Sequence, residues 1–279
     1  MKTSNKLLAI VGALFLLVPL SAMIYDSKNY KLESEVTAEE KRDKRFDEPE
    51  EGLLSLPFNS LSKVEIVNGK GFNFVITLIK DAKHGIKIRD QFKDNFKFTH
   101  QADGTVSITV LKAAEGHSNY VRLNIYSPEV NSVKITDANG LDVNGTADVL
   151  LIDANNIKSI SINDGATFNK VNVVTTRVGE LIVRNAELGS FTTKLNDCNF
   201  RSIATSYEEL DISAAGKSDI DITNEYSPKR ATIKKLNIVT FGKSNLKVNK
   251  TNLELVSGSL SDSTDVSMPV VYLKQLLKN

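Results

Sequence analysis

Val130-Asn-Ser-Val133-Lys-Ile135 is an apolar-x-x-apolar-x-apolar string, and the chain returns to it. It reads again as Ile157-Lys-Ser-Ile160-Ser-Ile162 and Val178-Gly-Glu-Leu181-Ile-Val183, weakly as Phe200-Arg-Ser-Ile203-Ala-Thr205, and as Ile233-Lys-Lys-Leu236-Asn-Ile238. The starts are 27, 21, 22 and 33 residues apart. A unit of about 20 to 30 residues that recurs along a chain marks stacked repeats, because no single unit can bury its apolar face alone.

Each unit holds further short alternating segments. Leu141-Asp-Val143 and Val149-Leu-Leu-Ile152 follow the first string, Leu210-Asp-Ile212 and Ile220-Asp-Ile222 the fourth, Leu246-Lys-Val248 and Leu253-Glu-Leu255 the fifth. Period-two alternation turns one face of a strand inward. Gly, Asn, Asp and Ser between the segments close turns. Three short strands and three turns per unit predict an all-β chain wound as a single-stranded parallel β-helix, with main-chain hydrogen bonds running from coil to coil at about 4.8 Å. Ile160 and Leu181 take equivalent inward positions in adjacent coils, and Ser161 points outward. Asp137-Ala138, Asp164-Gly165 and Asn185-Ala186 each follow a first strand and predict one corner ladder of turn-forming side chains. One Asn and two Asp give too little charge to argue for calcium there.

Towards the N-terminus the pattern is already present in Leu61-Ser-Lys-Val64-Glu-Ile66, and Phe72-Asn-Phe74-Val-Ile76-Thr-Leu78 alternates strictly. Longer strands are predicted around Ile86–Ile88, Phe96–Phe98, Val106–Val110 and Val121–Ile125, with a turn at Asp103-Gly104. They form a more sheet-like N-terminal section that shields the first coil, since an open end leaves backbone unpaired. Met268 to Lys278 is the natural cap at the other end, from about residue 266. The domain so defined spans 58–279.

Before it, Met1 to Lys6 carries Lys2 and Lys6, and the whole stretch from Leu7 to Tyr25 carries no charge. A stretch apolar all round is a membrane helix or a signal sequence, not an amphipathic core helix. Leu20 stands where an A-x-A-like cleavage site ending at Ala22 wants a small residue, which favours a retained anchor over 1–25. The basic N-terminus stays in the cytoplasm, so the following domain is placed in the cell envelope, on the periplasmic side. Residues 26–57 are dense in both charge signs and read as a solvated spacer.

The chain is long enough for one sizeable core: 279 residues, 41% hydrophobic. Its net charge of +1 argues against a nucleic-acid partner. Cys198 is the one cysteine, which rules out an internal disulfide and a Cys-rich metal site, and no cofactor is expected. His84, His100 and His117 lie near predicted turns without ligand spacing. Asp142 with Asp148, and Asp219 with Asp221, are the paired acids; the second pair shares one strand face, where alternation puts polar residues outside in any case. No phosphate loop, Gly-x-Ser-x-Gly or His-Glu-x-x-His string is present. The unit after Phe200 is the longest. Its excess is assigned to Thr205–Glu209, Ala214–Ser218 and Asn224–Arg230, where Tyr207, Tyr226, Lys229 and Arg230 are the candidate binding residues for an acidic or sugar-like partner.

The order of segments resembles the auto-transporter adhesin head GIN-domain family of Bacteroidetes-type bacteria, also called DUF2807. The features that carry it are a basic N-terminus with one anchor, a charged spacer, Leu61-Ser-Lys-Val64-Glu-Ile66, and a strand-rich section ending in Val121-Arg-Leu-Asn-Ile125-Tyr-Ser-Pro128-Glu-Val-Asn-Ser-Val133-Lys-Ile. The resemblance covers about Phe58 to Leu255 and implies a right-handed β-helix in the cell envelope without established enzymatic activity. The expected function is that of a noncatalytic, adhesion-like or scaffolding module held at the membrane by Leu7–Tyr25, with an envelope polysaccharide or protein as partner. The alternative is a polysaccharide-acting lyase or glycosidase on the same scaffold; acids stacked beside a cation in one groove favour it, and a flat alternating surface favours the binder.

Overall fold

Strict alternation of apolar and polar residues yields strands, eighteen of them among the described residues, hydrogen-bonded into one mostly parallel sheet. The structure, a computed structural model, describes residues 45–113, 119–224 and 231–278. The predicted anchor Leu7–Tyr25 and the spacer up to residue 44 lie outside them. Among the described residues no helix is long and apolar enough to cross a membrane.

Two parallel ladders run through the chain. In the first, β2 (Lys63–Val67) pairs with β6 (Thr105–Val110) on one side and β8 (Ser132–Thr136) on the other. It continues through β9 (Gly140–Ile162), β10 (Thr167–Arg184), β11 (Glu187–Asn196), β13 (Ser206–Ala215), β15 (Thr232–Thr240) and β17 (Asn252–Ser259). In the second, β3 (Asn73–Ile79) lies between β7 (Tyr120–Tyr126) and the start of β9. The far halves of β9 and β10 lead on to β12 (Asn199–Ile203), β14 (Ser218–Thr223), β16 (Ser244–Asn249) and β18 (Thr264–Ser267). From β8 onward a residue's partner lies 19 to 21 positions further along the chain, as in Ile135↔Ala154, Ile160↔Leu181 and Val173↔Thr193. One step is longer: Ile212↔Ile238 and Ile222↔Val248 are both 26 apart.

Inward side chains therefore stand in columns. Ile160, Leu181, Phe200, Ile220 and Leu246 form one, and Ile152, Val173, Thr193, Ile212 and Ile238 another, all buried. Each fully buried Leu, Ile or Phe contributes about 1.5–3 kcal/mol of transfer free energy.

The expected single series of strings splits between the ladders. Val133/Ile135 and Leu236/Ile238 belong to the first, Ile160/Ile162 and Leu181/Val183 to the second. Both ladders show the same apolar-x-apolar face, so the string alone does not tell them apart. The weak fourth string is also shifted: Phe200, not Ile203, stands opposite Leu181. The next inward place is taken by Ser202, a polar residue that hides the pattern. Its hydroxyl is satisfied in the core by the Tyr207 hydroxyl at 2.8 Å. The corner ladder divides likewise. Asp137 shares a left-handed corner with Asn156, Arg177 and Asp197 (φ 54°, 57°, 51° and 50°), whereas Asn185 shares the other with Ala204 and Lys250. Along the first corner Asn156 Nδ2 donates to Asp137 Oδ1 at 2.5 Å.

The two ends differ. At the N-terminal end β1 (Leu53–Phe58) is antiparallel to β4 (His84–Arg89), β4 is antiparallel to β7, and β5 (Phe96–His100) is antiparallel to β6. Phe72, Phe74, Phe92 and Phe96 fill that section, with ring centroids 5.2 to 6.4 Å apart. At the other end a short helix, α1 (Val270–Leu276), packs on β17. Leu253 N–H donates to Tyr272 Oη at 3.2 Å and Val256 N–H to Gln275 Oε1 at 2.9 Å, so helix side chains satisfy the edge of β17, the last strand of the first ladder.

The columns make a register test. Ile160→Asp or Leu181→Asp buries an unpaired charge between neighbouring repeats and is expected to abolish the cooperative thermal transition. Ser161 is no neutral control, because it hydrogen-bonds Asp142. Lys158, exposed at a corner, is one. Lys158→Asp should cost about 0.5 kcal/mol or less, and equal loss at 158 and 160 in circular-dichroism melts overturns the register.

Candidate functional site

The longer step in both ladders falls between Thr223 and Thr232, at the corner where each second-ladder strand gives way to the next first-ladder strand. A groove of about 550 Å³ lies at this corner across three successive repeats, lined by Asn185–Leu188, Ala204, Ser206–Glu208, Ala231, Thr232 and Lys234. The register builds it: Glu187 stands beside Ser206, and Tyr207 beside Ile233. Thr232 N–H donates to Ser206 Oγ at 3.2 Å, which draws the third repeat against the second. Small residues, Ala186, Ala204 and Ala231, leave the space. Glu187, Glu208 and Lys234 are exposed along it. Lys234 Nζ meets Glu208 Oε2 at 2.7 Å, and this hydrogen bond, with the carboxylate charge, raises the lysine above its ordinary value. The groove thus offers carboxylate, amide and hydroxyl groups around a small-residue floor, a surface for a polar or hydroxylated ligand.

Of the four candidate binding residues, Tyr226, Lys229 and Arg230 lie outside the described residues. Tyr207 borders the groove but its ring is core, 2% exposed, edge-on to Phe191 at 5.9 Å. Burial pushes its hydroxyl well above the ordinary range. It presents no stacking face to a ligand, which corrects its assignment as a groove aromatic. Thr205–Glu209 and Ala214–Ser218 are likewise not excess length: the first runs into β13 and the second is the tight β13–β14 turn. The groove's own polar residues, Glu187, Glu208 and Lys234, escape a sequence reading because each belongs to a different repeat and only the register joins them.

A second, smaller groove of about 300 Å³ lies on the outer face of the second ladder. Glu180, Asn199, Arg201, Asp219, Asp221, Asn245 and Lys247 line it. Arg201, Asp221 and Lys247 occupy one column, and Arg201 pairs with Glu180 at 3.3 Å. The expected Asp219 and Asp221 are therefore brought beside two cations. Asp142 and Asp148 are not brought together: Asp148 meets Lys80 at 3.5 Å, while Asp142 stacks on Ser161's side of the second ladder.

The remaining candidates are structural. Burial pushes the Cys198 thiol up to about 11, an inert small hydrophobe. His84 and His100 sit at strand ends, not in turns. His84 Nδ1 is 3.1 Å from Ser127 Oγ, but that hydroxyl donates to Leu61 O at 2.6 Å, so the imidazole does not act as its base. His117 lies outside the described residues.

No protein-family model matches the chain, and no curated protein matches it in sequence. Solved structures resemble it to differing degrees. A protein of Bacteroides fragilis described as a "putative adhesin" is 15% identical, with 78% of this chain and 99% of that one covered at a TM-score of 0.50. A "putative adhesin" of Parabacteroides distasonis is 13% identical over 77% and 96% of the two chains, at a TM-score of 0.44. A "putative lipid binding protein" of the same species is 14% identical over 77% and 96%, at 0.32. At such identity the first likeness speaks to the fold alone.

Asp142 supplies a pH test of the outer face. Burial raises its carboxyl above the ordinary 3.8, and the hydrogen bond with Ser161 offsets this in part. The folded chain holds the proton more tightly than the unfolded one, so this group favours folding at low pH and loses that contribution as pH rises through its raised pKa. Asp142→Asn is expected to raise the melting temperature at pH 7, and the gain should shrink as the pH falls through the raised pKa and be lost below 3.8, where the folded and unfolded chains both hold the proton. A gain of equal size at both pH values overturns the assignment.

Proposed function

We propose that the chain is a noncatalytic, adhesion-like module: a right-handed parallel β-helix, displayed in the cell envelope and tethered by Leu7–Tyr25. The observation that carries this reading is the constant register. Two ladders of nearly uniform step make a stiff body, and the longer step coincides with the groove of about 550 Å³. Stiff scaffolds that vary at one connection are built for contact. The likeness in fold to a protein described as a putative adhesin supports the same reading. The partner is an envelope polysaccharide or protein met by Glu187, Glu208 and Lys234, and Tyr226, Lys229 and Arg230, in the segment that leads into Ala231, are further candidate contacts. The purified chain, screened against envelope glycans and proteins, should bind without releasing product. Glu187→Lys with Lys234→Glu, or alanine at Tyr226, Lys229 and Arg230, should weaken binding about tenfold or more at unchanged melting temperature. Binding indifferent to both sets removes this groove.

The tether is tested separately. After alkaline extraction the full-length chain should stay with the membrane fraction; release of a chain shortened by about 22 residues shows a cleaved signal sequence instead.

The acid–cation groove favours a second reading, a polysaccharide-acting enzyme with Asp219 and Asp221 beside Arg201 and Lys247. Reducing ends or unsaturated products released by the wild type, and lost in Asp219→Asn or Asp221→Asn, decide for it.

A further inference from the structure

Residues 45–50, expected to be solvated spacer, are seated on the outer side of β4 and β7. Lys87, on β4, is the centre of the seat, and its side chain is 0% exposed. Its ammonium donates to Arg45 O at 3.2 Å, Glu48 O at 2.7 Å and Glu50 Oε1 at 3.0 Å, and lies 5.1 Å from the centroid of the Tyr126 ring. Phe46 packs on the same tyrosine at 5.5 Å, tilted by 58°. Its ring occupies the hollow over Gly85, where any Cβ would overlap it. Phe46 N–H donates to Asp81 Oδ2 at 2.9 Å, and Asp47 meets Lys83 at 3.2 Å.

The segment has little structure of its own. Within it a backbone bond from Glu48 N–H to Arg45 O, at 3.1 Å, closes a turn. It joins β1 through Gly52, whose φ of +74° suits glycine and whose carbonyl, accepting from Asp90 N–H at 3.0 Å, anchors the point from which the segment departs. A piece held by its seat and not by itself opens as a unit, ahead of the core. The seat is chemically specific. It offers a buried ammonium that wants carbonyl and carboxylate oxygens, an aromatic wall, a slot that Gly85 keeps open for a ring, and a carboxylate for one backbone N–H.

We propose that residues 45–50 are a releasable latch, and that the hollow formed by Asp81, Gly85, Lys87 and Tyr126 is a binding site for a short peptide with an aromatic residue followed by acidic ones, filled in cis by the chain's own Phe46-Asp-Glu-Pro-Glu50. The latch fixes how the chain enters the domain, and it withholds the site from a competing peptide.

Hydrogen exchange on the full chain tests this. In the wild type the Phe46 and Glu48 amides should be protected. Phe46→Ala with Glu50→Gln leaves the seat intact and should speed exchange across 46–50 about tenfold or more, with β9 to β15 unchanged. A free peptide of residues 45–51 should then slow exchange of 84–88 in this opened variant and not in the wild type. Adding Gly85→Val should abolish that protection. Lys87→Met, which keeps the latch sequence, should also release 46–50. The proposal is overturned if the wild-type amides are unprotected, or if the peptide leaves 84–88 of the folded, opened variant unprotected. It is overturned too if both Phe46→Ala with Glu50→Gln and Lys87→Met cost protection throughout β3, β4 and β7, for then the segment is part of the core.

Discussion

Parallel in-register stacking is the constraint from which the rest follows. Each residue stands beside its counterpart one repeat on, at the spacing of about 4.8 Å that main-chain hydrogen bonding imposes. An inward side chain therefore has its column neighbours fixed by number, Leu181 between Ile160 and Phe200. A close-packed interior must fill every such place without voids. Bulk is shared between adjacent columns: the Phe191 ring lies 5.9 Å, centroid to centroid, from both Phe200 and Tyr207, and the buried places next to them along their strands go to the smaller Thr193 and Ser202. Thr193 differs from Ser202 in polar satisfaction. Its fully buried hydroxyl has no hydrogen-bond partner, and it interrupts a Val173–Ile212 column that a valine would continue.

The same constraint creates the problem of ends, because a stack can add repeats indefinitely unless its outer edges are spoiled. The chain solves this differently at each end. At the N-terminal end the direction of pairing reverses, with β1, β4 and β7 antiparallel, so the next parallel repeat has no template there. Pro57 in β1, whose strand partner is β4, lacks the N–H that an incoming strand would need at that point. At the other end α1 supplies Tyr272 and Gln275 to the free N–H groups of β17, and Leu276 closes the core.

Alternation made the strands, their inward faces and the approximate repeat length legible from the amino-acid order. It did not make the ladders legible. Val133/Ile135 and Ile160/Ile162 look alike in sequence although they lie on different sides of the stack, because a half-buried strand carries the same pattern on either. The turn residues mislead for a related reason: Asp137 and Asn185 both tolerate a left-handed backbone, and so both corners recruit them. The groove was half legible. An over-long repeat can be seen by counting, but Glu187, Glu208 and Lys234 become neighbours only through the pairing of β11, β13 and β15, which the amino-acid order does not reveal. Tyr207 reads as a surface aromatic because its partner Ser202, a serine in a core column, gives no sign in the sequence of being buried.

The length of that over-long repeat has a physical explanation in the two ladders together. Both step by 26 across it, and both return to a step of 20 immediately afterwards. A residue added inside a strand would shift everything beyond it to the opposite face and expose a column of Ile and Leu. Six positions added between β14 and β15 shift nothing, because they lengthen a connection and leave each strand's phase intact. Lengthening a connection is cheap, about 0.6 kcal/mol for each doubling. Losing one buried Leu or Ile to solvent costs several times that. Variation in such a stack is therefore pressed into its corners, and the floor beside this one is built of Ala186, Ala204 and Ala231, which leave room next to the connection without interrupting a column. The place where the fold tolerates change is also the place where it leaves space.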